Sequence, residues 1–379
     1  MSRIVSLDFL RNFANITRCI IHASVPYMVS ETPIWPVDNE GLLFFDILVF
    51  ESHLFVMELF FMISGFIFAM QLSKGTIHEI VINRTKRIVI PFLLGVIILV
   101  PVVLSIFNLS QYPDYTFFQW GIIQNAYVSG WNLGLENFFP TGHLWYLYYL
   151  IIFYTLTILM RRVFAKIKTP SLNKIVLLGI IISSTCMFFM NRWVVDNPLT
   201  LIPELPSLLH YYFFFVVGIF VFESRGLLES IKKRFKYFLK VGFIAGILAI
   251  IPQYWFANHD FEYYELIKIS AITLSSSSTH FIVLGLWGFL NSHSLNDSKR
   301  LRYLTDSSYW IYLTNMPLVV IFQLILLPIE LNVFIKFIVV FLGALAMNLI
   351  SYEFLVRYTF IGGILNKKRI RRAEKEITI

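Results

Sequence analysis

Charge is scarce in this chain. Only 14% of its 379 residues are Asp, Glu, Lys or Arg, against roughly 25% in an ordinary soluble domain. Cysteine is scarcer still: Cys19 and Cys186 stand far apart, each inside an apolar run. That excludes a disulfide framework and a cysteine-rich metal site. No HExxH or CxxC spacing occurs, no Walker loop, no GxGxxG followed by an acidic residue, and no GxSxG elbow. The sequence therefore predicts no metal site and none of the usual nucleotide or serine-hydrolase signatures. The first apolar stretch contains Arg11, Arg18 and His22, which the h-region of a cleavable signal would not tolerate.

What is abundant is apolar surface. Hydrophobic residues make up 57% of the chain and aromatics 17%, with 38 Phe; the mean hydropathy is +0.71. One soluble core cannot hide that much apolar surface. The expected class is all-α: a polytopic membrane helix bundle. Apolar runs predict ten spans, over 9–29, 53–72, 88–107, 143–160, 174–191, 207–223, 239–256, 268–290, 307–328 and 332–356. The segment 41–52 is either a short interfacial helix or an extension of the second span, so the count is ten or eleven. Residues 1–366 read as a single integral membrane domain and 367–379 as a basic tail.

The 31 Lys and Arg exceed the 23 Asp and Glu, for a net charge of +8. Their placement shows what the excess is for. Most fall at the N-terminus, in alternate connections (Lys74 to Arg87, Arg161 to Lys174, Arg225 to Lys240, Lys299 to Arg302) and in the tail after Arg357. Residues 30–41 and 107–142 contain no Lys or Arg. By the positive-inside rule both termini are cytoplasmic. The charge excess is thus a topology signal rather than a nucleic-acid patch, and no nucleic-acid partner is expected. The tail suits the surface of lipid headgroups. The loop 107–142 is rich in Tyr and Trp (Tyr112, Tyr115, Trp120, Trp131); it either covers a site or lies in the membrane interface.

Ionisable groups inside a membrane are costly, so each one asks for a reason. At about 100° per residue, Arg11, Asn15, Arg18 and His22 fall within about 60° of one another on span 1, with Asp8 just beside them. The stripe must face the bundle interior, either as a structural hydrogen-bonded row or as a site. Arg11 and His22 are separated by about 16 Å along the helix, which reaches from the membrane surface toward its middle. Imidazole is the usual proton carrier near neutral pH. On span 2, Glu51 and Glu58 share a face and could counter the Arg charges of span 1, while Ser64-Gly65 permits close helix packing. Arg84 and Arg87, before Pro91, suit phosphate recognition at a helix N-terminus or plain anchoring at the inner surface. His143, at the start of span 4, either assists catalysis or sits at the interface. Glu353 and Arg357 are spaced as an i,i+4 pair. His280 and Lys336 lack a partner recognisable from sequence.

Several of these segments together resemble the acyltransferase-3 family of polytopic membrane O-acyltransferases. They are Leu7-Asp8-x-x-Arg11 with His22 eleven residues on, FFMISGF at 60–66, Arg84-x-x-Arg87 before Pro91, HLWYLYYL at 143–150 and SYWIYLTNMP at 308–317. They stand in the family's order over nearly the whole chain. HASVPYM and SYEFLVRYTFIGGILN look closest to the glucan-modifying branch, which includes the periplasmic glucan succinyltransferase. The resemblance implies transfer of an acyl group, acetyl or succinyl, from cytoplasmic acyl-CoA to a glycan hydroxyl at the outer face of a bacterial inner membrane. Acyl-CoA is then a co-substrate and no cofactor is resident. By the same resemblance His22 and Arg11 are catalytic, and Arg84 and Arg87 contact donor phosphates. Asp8, Asn15, Arg18, Glu58 and His143 support them. Two residues depart from the family pattern: Asn315 stands where it often has His, and Asn12 where Gly usually follows the Arg. The soluble extracytoplasmic domain fused to many members is not recognisable here, so the chain is expected to act alone or with a separate extracytoplasmic partner. Two other functions fit the same stripe: a transporter or flippase for a glycan precursor or organic anion, and an assembly factor that has lost activity.

Overall fold

The computed structural model describes residues 4–30, 32, 35–111, 141–190, 194–195, 197–255, 262–293 and 295–365. The aromatic loop residues from Tyr112 to Trp131 and the basic tail 367–379 lie outside the described residues. Among the described residues the regular structure is helical throughout.

In chain order the α-helices of six residues or more among the described residues are α1 (Val5–Ser24), α2 (Leu43–His53), α3 (Val56–Leu72), α4 (Ile77–Arg84), α5 (Ile90–Gln111), α6 (Trp145–Leu159), α7 (Leu172–Phe188), α8 (Leu205–Glu223), α9 (Arg225–Trp255), α10 (Tyr264–Ser292), α11 (Lys299–Leu326), α12 (Val333–Ser351) and α13 (Phe360–Leu365). Each of the ten expected spans falls on a helix among the described residues. Eight helical units among the described residues are long and apolar enough to cross a membrane. The other two fall short for visible reasons: α1 carries Asp8, Arg11 and Arg18, and α7 has only 17 residues. The segment before the second span extends it, with a break at Leu54–Phe55 between α2 and α3.

Outward faces are apolar. Leu93, Leu94, Ile97 and Ile98 on α5, Ile247 and Ile251 on α9, and Ile335, Ile338 and Leu342 on α12 are all exposed. At helical spacing these make stripes suited to lipid, and helices alone satisfy their own backbone there.

Two packing contacts organise the interior. Helices α9 and α10 run together over most of their length, and α3 lies tightly on α8. The second contact depends on missing side chains. A Cβ at Gly65 would run into the Phe215 carbonyl, and one at Gly218 into the Met62 carbonyl. The Ser64-Gly65 pair thus permits the close approach expected of it. Helices α11 and α12 pack together, and α1 packs on α11, which brings the polar stripe of α1 against α11.

The connection from α1 to α2 is tied down by charge. Asp46 accepts from the backbone N–H groups of Val29 (2.8 Å) and Ser30 (2.9 Å). Lys336 finds a partner that sequence did not reveal: its Nζ lies 2.7 Å from Asp38 Oδ2, and both side chains are buried. Glu353 and Arg357 pair as expected (2.7 Å).

Candidate active site

The stripe of α1 faces inward. Asp8, Asn15 and Arg18 are buried, and Arg11 and His22 are half-buried. Asn12, the departure from Gly, bridges helices: its Nδ2 donates to Thr305 Oγ1 (2.9 Å) on α11.

Arg18 is the centre of the row. Its guanidinium donates to Asn15 Oδ1 (3.1 Å), to the Ile311 carbonyl (3.3 Å) and to the Tyr312 carbonyl (3.5 Å). It also lies 5.0 Å from the centre of the Tyr312 ring, a cation–π distance. Its charge is thus met by dipoles and a ring, not by Glu51 of α2 or Glu58 of α3. Its Nε is buried without a partner.

Two prolines shape the hydrogen bonds of the two histidines. Pro26 has no N–H to give the His22 carbonyl, four residues back; Gln323 Nε2 donates to it instead (2.8 Å). Pro317, inside α11, leaves the Leu313 carbonyl without its helical donor. His143 Nε2 lies 2.9 Å from that carbonyl, and Tyr312 donates to the His143 carbonyl (2.8 Å). Gly142, with φ of +51°, makes the left-handed turn that delivers His143 to this position. The His22 ring lies 6.0 Å from that of Trp35, and its Nδ1 is 3.5 Å from Asn315 Nδ2. Arg18, His143 and His53 are all within electrostatic reach of His22.

Toward the other end of α1 the row continues through tyrosines. Arg11 and Arg84 both lie within electrostatic reach of Tyr146 and Tyr154. Tyr146 shares a 2.7 Å hydrogen bond with Ser64, and Tyr309 donates to the Arg87 carbonyl (2.7 Å). Arg84 is held in place: it lies 4.6 Å from the centre of the Tyr154 ring and donates to Gln71 Oε1 (2.6 Å). Its Nε is left without a partner.

The expected helix start at Arg84 is not found. The helix begins at Ile77, where Thr76 and Glu79 form a capping box that satisfies the free N–H groups. Arg84 closes α4, and Lys86 and Arg87 lie in the π-helical turn Thr85–Val89 that joins it to α5. No helix N-terminus therefore assists the arginines. A π-helical turn beside the arginines is a feature frequent at functional sites.

Glu58 is also corrected. It does not join the stripe of α1. Its Oε1 lies 2.9 Å from His210 Nε2, whose Nδ1 meets Ser183 Oγ at 2.8 Å. All three are buried between α3, α7 and α8. A histidine inside the apolar run of α8 was the available signal. Glu51, likewise, packs against Gly246 of α9 rather than pairing with the arginines. Other residues that sequence did not single out are Tyr312, Tyr146, Gln323 and Asn348. Only the missing N–H of Pro26 hinted at one of them, Gln323, through the His22 carbonyl.

The model of an acyltransferase domain, that of acyltransferase-3, matches residues 4–353. The chain belongs to this acyltransferase family. It is an all-α integral membrane protein and a membrane acyltransferase. It is similar to glucans biosynthesis protein C of Salmonella paratyphi B and of Salmonella dublin, with 24% identity over 401 residues, 98% of this chain and 97% of the relative. The same protein of Salmonella typhimurium is 24% identical over 400 residues, with the same coverage. No solved structure matches the chain.

Proposed function

We propose that the protein transfers an acyl group from cytoplasmic acyl-CoA to a hydroxyl of a glycan at the outer face of a bacterial inner membrane. The observation that carries this reading is a polar row: Arg84 lies on the Tyr154 ring, Arg84 and Arg11 are within electrostatic reach of Tyr146 and Tyr154, the Tyr146 ring packs on Tyr312, and Arg18 on Tyr312 is within electrostatic reach of His143 and His22. Its members come from α1, α4, α6, α11 and the turn before α6, and it joins an arginine cluster to two imidazoles. With both termini cytoplasmic, the arginines face the donor and the imidazoles face the acceptor. The name of the Salmonella relatives supports a glucan as acceptor.

Arg84 and Arg87 bind the donor phosphates as guanidinium forks. The acyl chain enters along the tyrosines. The acceptor oxygen then bonds to the thioester carbonyl carbon, the carbon–sulfur bond breaks, and the hydroxyl proton travels by an imidazole of this site to the CoA sulfur. Arg11 and Arg18 stabilise the negative charge that develops on the carbonyl oxygen. A separate extracytoplasmic protein would present the glycan.

The test is acyl-CoA binding by the purified protein at two salt concentrations. Micromolar, salt-sensitive binding is expected in the wild type, weakened at least tenfold in Arg84→Ala/Arg87→Ala and in Arg11→Ala. If acetyl-CoA, succinyl-CoA and free CoA all fail to bind, the donor assignment is wrong, and glycan counterflow in proteoliposomes without donor would mark a transporter.

A further inference from the structure

The two imidazoles of the site are held in opposite senses. His143 Nε2 contacts the Leu313 carbonyl at 2.9 Å. A carbonyl oxygen only accepts, so Nε2 carries the hydrogen and Nδ1 carries the lone pair. That Nδ1 is buried and has no hydrogen-bond partner, on a side chain only 8% exposed.

His22 is set by a chain of amides that starts from another backbone carbonyl. Asn348 Nδ2 donates to the Ala344 carbonyl (2.8 Å), which decides which way that amide faces. The second hydrogen of the same nitrogen goes to Asn315 Oδ1 (3.2 Å). Asn315 therefore turns its Nδ2 toward His22 Nδ1 (3.5 Å), and Nδ1 must accept. In the neutral ring the hydrogen is then on Nε2. His143 keeps a free lone pair, whereas the lone pair of His22 is taken and its N–H remains.

We propose that the two rings divide the chemistry: His143 Nδ1 is the base, and His22 Nε2–H is the donor to the carbonyl oxygen. This rests on the acyl-transfer reading above. As the acceptor oxygen forms its bond to the thioester carbon, its proton passes to His143 Nδ1. The new negative charge on the carbonyl oxygen is met by His22 Nε2–H and by Arg18, which lies within electrostatic reach of both rings. The tetrahedral adduct then collapses, the carbon–sulfur bond breaks, and the proton on His143 Nδ1 moves to the sulfur. His22 gives up no proton. Asn315 and Asn348 are positioning residues for His22, and Pro317 is one for His143.

The test is nitrogen NMR of the full chain, labelled with [15N]histidine, in lipid nanodiscs, together with transfer rates. Substitutions at His22 and His143 assign the signals. In the neutral wild type both rings are expected to be protonated at Nε2. Asn315→Asp, whose carboxylate only accepts, is expected to move the hydrogen of His22 to Nδ1 and to leave His143 unchanged. Pro317→Ala restores an N–H to Leu313 and is expected to release His143 alone. His143→Gln should lower the transfer rate about 100-fold or more, the scale of a lost general base. His22→Gln keeps an N–H and should remain at least tenfold faster than His22→Ala. A His143 ring protonated at Nδ1 in the wild type overturns the proposal. So does a His22 tautomer unmoved by Asn315→Asp, or wild-type transfer by His143→Gln. A wild type that forms no ester from any acyl-CoA overturns the transfer reading itself, a different failure from an active enzyme in which the rings do not divide.

Discussion

At the scale of the residue, the site is built from charges answered by dipoles. Arg18 meets one amide, two carbonyls and a ring, and the two hydrogen bonds to α11 come from one flat fork. A lysine cannot reproduce that fork. Arg18→Lys is therefore expected to lose most of the transfer rate, at least tenfold, while the protein still inserts. Arg18→Met is expected to cost about 1.5–3 kcal/mol in stability, the usual worth of charge-assisted hydrogen bonds. Activity assays and thermal unfolding in detergent check the two. Glu58 teaches the complementary lesson. Removing its side chain in Glu58→Ala leaves His210 Nε2 buried without a partner, at a cost of about 1–3 kcal/mol. Glu58→Gln retains a group that can bond His210, so its unfolding temperature should lie nearer the wild type. Equal losses for Ala and Gln would show that the pair depends on charge.

At the scale of the element, helices here are shaped by what they omit. Gly65 and Gly218 let α3 and α8 touch backbone to backbone, while the neighbouring Ser64 bonds Tyr146 of α6. Gly218→Leu is expected to force the helices apart and to destabilise the protein by about 1–3 kcal/mol or more, read as a lower unfolding temperature in detergent. Pro26 and Pro317 omit an N–H each, and each freed carbonyl recruits a side chain of the site. Both prolines were visible in the sequence, inside the segments HASVPYM and SYWIYLTNMP that carry the family resemblance. Their use was not, because a freed carbonyl does not name the donor that will find it. The arginine pair shows the limit of local reading from the other side. Pro91 suggested a helix start near Arg84, but the capping box at Thr76 and Glu79 had already started the helix at Ile77.

At the scale of the whole molecule, long-range ion pairs and orientation are decided together. Asp38 and Lys336 close the connection after α1 onto α12 from opposite ends of the chain. Asp38→Ala strands a buried ammonium group, a change that costs about 3–5 kcal/mol in comparable pairs. Asp38→Leu with Lys336→Met should recover much of that loss, and a double-mutant cycle in thermal unfolding measures it. The orientation is tested separately. Cys19 and Cys186 are both buried and can be replaced. Ser171→Cys should then react with an impermeant thiol reagent only from the cytoplasmic side, and Thr200→Cys only from the outer side. The reverse pattern would invert the proposed path from donor to acceptor.

The sequence by itself determined the class of the molecule: a helical bundle for a membrane, its family, and a polar stripe on α1 turned inward. These follow from composition and from the 3.6-residue period, which are properties of single segments. Tertiary structure alone decided who answers each charge: carbonyls for Arg18, His210 for Glu58, Asp38 for Lys336, and two amides for His22. Helical periodicity says which side chains share a face. It carries no information on which face of another helix will meet them, and in a low-dielectric interior that meeting determines what each buried group can do.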